Sequence, residues 1–180
     1  MAGKIASEVR VGVDGVVRVA PLGTAAPTTI SGAWTSSVDL GYVSEDGLTE
    51  SNATTTEPIK AWQNGAIVRT VVTEGTTTFQ FTLIQTSEET LLEYYGIVTA
   101  DIVSGAFVSN PTAERPHKSY VFDVIDGDSV VRKYIKDGQV TEVGDIVYQN
   151  GAAIGFELTV TAYYDATLGG SVKHWYTEIA

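Results

Sequence analysis

The stretch TTTFQFTLIQT (76–86) alternates without a break, with Phe79, Phe81 and Leu83 on one side and Thr78, Gln80 and Thr82 on the other. Successive side chains of an extended chain point to opposite faces, so this pattern demands a strand with one dry face and one wet face. The same period returns in IGFELTVTAYYD (154–165), where Phe156, Leu158, Val160, Ala162 and Tyr164 oppose Glu157, Thr159 and Thr161. Between such runs stand Asp14-Gly15, Asn64-Gly65, Asp137-Gly138 and Asn150-Gly151. These dipeptides accept the positive φ of tight hairpin turns. A chain punctuated in this way folds by local antiparallel pairing.

Read along the chain, Val9, Val11 and Val13 form a first hairpin with VVRVA (16–20) across Asp14-Gly15. Residues 21–37 are rich in Pro, Gly and small polar residues and read as irregular connection. Residues 41–56 read as a long polar loop, uncommon inside a packed domain unless it has a function. EPIKAWQ (57–63) and AIVRTVV (66–72) pair across Asn64-Gly65. SEETLLEYYG (87–96) predicts a helix over about 87–95, capped by Thr86 or Ser87, with Thr86 and Glu89 as a capping box. Leu91, Leu92 and Tyr95 form its apolar stripe, and Gly96 ends it. A meander follows: 118–125, 129–136, a turn at Asp137-Gly138 into QVTEV, then 144–149, 154–165 and a last strand over 171–177. About nine or ten strands and one helix predict a mainly β fold, an antiparallel sandwich or barrel with a flanking α-helix, as a single domain over 1–180.

Composition narrows the function classes. The formal net charge is −11, a surface that on average repels a phosphate backbone. No cysteine is present, so disulfides and thiolate chemistry are excluded. The start, MAGKIASEVRVGVDG, has no apolar core of a secretory signal, and no apolar run approaches the roughly 18 residues of a membrane span.

The acidic stretch LGYVSEDGLTES (40–51) is the first candidate for chemistry. An EF-hand loop with Gly47 sixth would place Tyr42 first and Ala53 twelfth, so the first ligand and the bidentate acid are both missing. Glu45 and Asp46 are sequence neighbours, which on a strand point apart and in a turn are solvated, so they make no acid–base pair. His117 and His174 have neither a nucleophile elbow nor zinc-ligand spacing around them. No catalytic residue, metal ligand or cofactor site is expected. Two readings stay open on residues alone: a structural assembly protein, or an acidic β-sandwich binding module, for instance for a carbohydrate.

A resemblance adds to this. Four segments come in order: GYVSEDG, then PIKAWQNGAIVRTVVTE, then TFQFTLIQT, then SEETLLEYYG; VRVAPLGTAAPT (17–28) precedes them. The run resembles the major tail proteins of bacteriophages with long, non-contractile tails, and it covers most of the chain. The resemblance implies a β-sandwich that assembles into homohexameric rings stacked as a tail tube, similar in fold to the type VI secretion tube. It implies a virion location, with assembly in the host cytoplasm. It also implies tape measure, tail terminator and baseplate or distal tail proteins as partners. The genome passes through without specific binding, and no membrane is involved. A loop or hairpin and terminal arms then contact the next ring. Gly41, Tyr42, Val43, Ser44, Glu45, Asp46, Gly47, Leu48 and Glu50 are the expected inter-ring loop, with Tyr42, Val43 and Leu48 adhesive and the three acids selecting a basic partner on the next ring. Thr76, Thr78, Gln80 and Thr82 are the expected lumen-facing side chains.

Overall fold

The computed structural model describes residues 3–177; the ends of the expected domain, 1–2 and 178–180, lie outside the described residues. Eight strands form one continuous antiparallel sheet: β1 (Asp14–Pro21), β2 (Val38–Asp39), β3 (Val43–Lys60), β4 (Ile67–Leu83), β5 (Lys118–Asp126), β6 (Ser129–Val143), β7 (Phe156–Ala162) and β8 (Val172–Tyr176). The order is β2-β1-β5-β6-β7-β4-β3, with β8 also on β6. β6 is the shared strand. Its first half pairs with β5 and β8 and its second half with β7. The two halves of the sheet therefore fold over one another as a sandwich. Phe79 of β4 stacks on Phe122 of β5 at 4.8 Å between ring centres, although two strands separate them in the sheet.

The alternation read from the sequence fills this core. Phe79, Phe81 and Leu83 point inward from β4, and Phe156, Leu158, Val160 and Ala162 from β7. Tyr164 does not join them and stands exposed beyond the end of β7. Burial of such side chains contributes about 1.5–3 kcal/mol each, the main stabilising term.

Three expected turns or strands are otherwise. Asp14-Gly15 lies inside β1, in register with Ile125 and Val124, and no hairpin forms there. Residues 9–13 continue away from β1, with Val13 N–H donating to the Ile125 carbonyl at 3.1 Å. β5 offers a full ladder, and that outweighs a local turn preference. Asp137-Gly138 is a bulge in β6, between the pairs Lys118↔Gly138 and Tyr120↔Ile135. Residues 144–149 form no strand.

The helix α1 (Glu88–Tyr95) is where the sequence places it, capped by Ser87, whose Oγ accepts from Thr90 N–H at 3.3 Å. Thr86 and Glu89 form no capping box; the cap is one residue later. Gly96 ends it at φ 66°. Of the expected stripe, Leu91 and Tyr95 pack against the core and Leu92 does not, and the most deeply buried residues of the helix are Thr90, Glu93 and Tyr94. Polar partners explain this. Tyr120 donates to Glu93 at 2.9 Å, Lys118 pairs with the same carboxylate, and Tyr94 donates to the Gly144 carbonyl at 2.6 Å. Arg115 closes the C-terminus by donating to the carbonyls of Glu93 and Tyr94, groups that a helix end leaves unpaired.

Candidate assembly surface

Residues 43–56 are strand, not the expected loop. β3 runs 18 residues and pairs with the 17 residues of β4. Only Thr77–Leu83 of β4 also pairs with β7, so beyond Ala53 and Thr76 the two strands leave the body as a free ribbon. From Ala53 to Lys60, at about 3.3 Å per residue, the ribbon projects roughly 25 Å. Its turn carries Asn64 and Gly65 at φ 59° and 64°, the positive pair that this dipeptide tolerates.

The ribbon ends in apolar side chains that none of the described residues covers. Trp62 is 99% exposed, Ile59, Ile67 and Val68 are exposed near it, and Val72 is exposed farther back along the ribbon. A two-stranded ribbon on its own is marginal in water. A cluster of large apolar groups at its tip marks an interaction site. Sequence reasoning found the turn but missed this role. The signal was present as a tryptophan two residues before an Asn-Gly turn, and none of the described residues buries it.

The expected loop residues fall at the root of β3. Between the pairs Val43↔Leu83 and Leu48↔Phe81 the register jumps, and Ser44, Glu45, Asp46 and Gly47 bulge out. Gly47 takes φ 69° there. With Gly41, Tyr42, Val43 and Leu48, these residues line one wall of a cleft whose other wall is the start of β1. Glu50 is not available to a neighbour's cation. Its carboxylate meets Lys133 Nζ at 3.1 Å inside the molecule. Burial would raise the Glu50 pKa, but hydrogen bonds from Asn52 and Lys133 and the lysine charge hold it below the usual carboxylate value. Lys133 also contacts His174 Nδ1 at 2.8 Å and Tyr176 OH at 2.6 Å.

The other candidates lie on the outer face of the β3-β4-β7 half. Thr78 stands opposite Thr161, Gln80 opposite Thr159 and Thr82 opposite Glu157, while Ser51 and Thr49 continue the row onto β3. Thr76 extends the row onto the ribbon, opposite Ala53. Thr141 and Thr161 hydroxyls bond at 2.8 Å, and Gln80 donates to Glu157. The face is wet, short-chained and without a Lys or Arg in these positions.

The remaining ion pairs serve the fold. Arg132 and Asp123 form a buried pair, and the half-buried His117 Nδ1 meets Asp137 at 2.6 Å beside the Tyr163 ring. Among the described residues no three His, Cys, Asp or Glu side chains gather to hold a metal ion.

The class defined by this geometry is a β-sandwich with a projecting two-stranded ribbon and an apolar tip. A family model for the phage tail tube protein matches residues 2–179, and the chain belongs to that family. No curated protein matches the sequence. Among solved structures, a chain of the anti-feeding prophage cap, which terminates that particle's tube, is 11% identical over 97% of both chains with a TM-score of 0.50. A chain of the sheath–tube complex of the extracellular contractile injection system PVC is 12% identical over 97% of this chain and 100% of that one, at TM-score 0.47. A chain from the tail of an empty GTA particle, with C6 symmetry, is 13% identical over 94% and 99%, at TM-score 0.45. At 11% identity the first of these likenesses is one of fold alone.

Proposed function

We propose that this tail tube protein polymerises as stacked homohexameric rings, and that the stack is the conduit for the genome in a long tail without a contractile sheath. The observation that carries this is the ribbon of β3 and β4 with Trp62 bare at its tip. Such a tip is stable in solution only as a contact waiting for a partner, and in a homopolymer the partner is another copy. The free outer edge of β3 supports lateral closure, since an unpaired edge is a liability unless a neighbour covers it. Lateral contacts that close and axial contacts that repeat give a ring stack.

The threonine-rich outer face, with Thr76, Thr78, Gln80 and Thr82, is the lumen wall in this reading. Short hydroxyls and carboxylates hold water and offer no cation to phosphate. At physiological salt a negative wall acts over only about 8 Å, so it prevents sticking without driving transport. The protein performs no reaction and needs no cofactor. Its location is the virion tail, after assembly in the host cytoplasm. Tape measure, tail terminator and distal tail proteins are its further partners by family. Electron microscopy of the concentrated protein tests this: ring stacks or tubes are expected. A strictly monomeric protein that binds a glycan would replace this reading with the binding-module alternative.

A further inference from the structure

We propose that the cleft at the root of β3 is the receptor for the Trp62 tip of another copy; this rests on the tube reading. The cleft measures about 740 Å³ and lies between the start of β1 and the bulge of β3. Roughly 300–1,000 Å³ is the size that encloses a bulky organic group, so an indole and its flanking side chains fit. Val17, Phe122 and Leu48 supply an apolar floor. Ser44 Oγ is buried at this wall and has no hydrogen-bond partner among the described residues.

Charge agrees. Asp14, Asp39, Glu45 and Asp46 line the cleft together with Asp123, whose own charge is already met by Arg132 and Arg18, and no Lys or Arg is among the lining residues. From Pro58 to Val72, by contrast, the only charged residues are Lys60 and Arg69. In a chain of net charge −11 this is a locally basic tip facing a receptor with four other carboxylates. Opposite potentials of this kind steer and orient association.

Geometry agrees as well. One strand, β3, carries the receptor at its root and leads to the ligand at its tip. Leu48 and Lys60 are separated by about 40 Å at strand spacing. The tip therefore cannot reach the cleft of its own subunit. A head-to-tail step of about that length brings the next copy's cleft to it, and repetition of the step makes a filament.

The chain has no cysteine, so an introduced pair reports cleanly. In Gln63→Cys/Tyr42→Cys, one thiol sits beside Trp62 and the other on the cleft wall. The two cannot bridge within one subunit, because a disulfide needs Cα atoms within about 7 Å. Oxidation of the assembled protein should give a reducible ladder of covalent dimers, trimers and higher species. The control Gln63→Cys/Val108→Cys, with its second thiol on an exposed surface outside the cleft, should give none. Lys60→Glu/Arg69→Glu should abolish assembly, and Glu45→Lys/Asp46→Lys in the same chain should restore it. Tubes without a ladder, or an equal ladder in the control, overturn the receptor and leave the tube reading standing. Failure of the unmodified protein to form tubes overturns both.

Discussion

Arg132 forks onto Asp123, with Nε 2.6 Å from Oδ1 and Nη2 2.8 Å from Oδ2, and both side chains are buried. The remaining nitrogen donates to the carbonyls of Thr29 and Gly32. One guanidinium thus ties β5, β6 and the irregular connection over 22–37 together. Trp34 packs beside it on Tyr134 and donates to the Ala25 carbonyl at 2.8 Å. Arg132→Ala strands a buried carboxylate that keeps only Arg18, at 3.2 Å. The expected cost is about 3–5 kcal/mol in urea denaturation. Adding Asp123→Ala should cost less than the sum of the two single changes. Arg132→Lys should recover little, because an ammonium has no fork.

Gly138 is required by the Tyr120 ring. A Cβ at Gly138 would stand 2.8 Å from Tyr120 Cδ2, and Tyr120 is itself fixed by Glu93. Gly138→Ala should destabilise by about 1–3 kcal/mol, the usual range for overpacking. Gly75 in β4 has open space around its Cβ position and no positive φ. Gly75→Ala should be neutral or stabilise by up to about 1 kcal/mol. Thermal unfolding of the two variants checks the contrast.

These positions also show what the sequence could carry. β4 and β7 were legible because each has one dry face, and a dry face imposes alternation. Residues 49–58 are strand as well, but most of that stretch is wet on both faces, so no alternation marks it and polarity alone suggested a loop. Asp14-Gly15 and Asp137-Gly138 are turn dipeptides whose preference is local, whereas β5, more than a hundred residues from β1, decides their conformation. The helix face was legible at Leu91 and Tyr95, but the burial of Thr90 and Glu93 was not, because both count as polar until Leu40, Lys118 and Tyr120 supply their partners. Trp62 could have been singled out by asking what a hairpin tip can bury.

Acid should weaken the subunit in two windows. Burial first, and the Lys133 charge second, lower the His174 pKa from 6.5. As pH falls through 6.5 the unfolded chain takes up a proton that the folded chain resists, so stability declines until the folded value is reached. Much of the ring is exposed, so the slope is shallow. Glu50 acts lower: its stabilisation is present above 4.5 and is lost as pH falls through its depressed folded value. Urea midpoints between pH 7.5 and 5.5 should fall for the native sequence and flatten in His174→Gln.

The tip should separate folding from assembly. Trp62→Ser removes a side chain that touches little of its own subunit, so the unfolding midpoint should move by no more than about 0.5 kcal/mol. Sedimentation should nevertheless show loss of large polymers. Replacing 59–68 by a short Asn-Gly turn should have the same effect while retaining the sandwich.

The central claim is a hollow ring stack with a threonine-rich bore, and cryo-electron microscopy of the assembled protein tests it most directly. The account predicts six subunits per ring, with Thr78, Gln80, Thr159 and Thr161 lining the lumen and each Trp62 buried in the next ring. A polymer without a lumen, or one whose bore is lined by the β1-β5 half of the sheet, would contradict it.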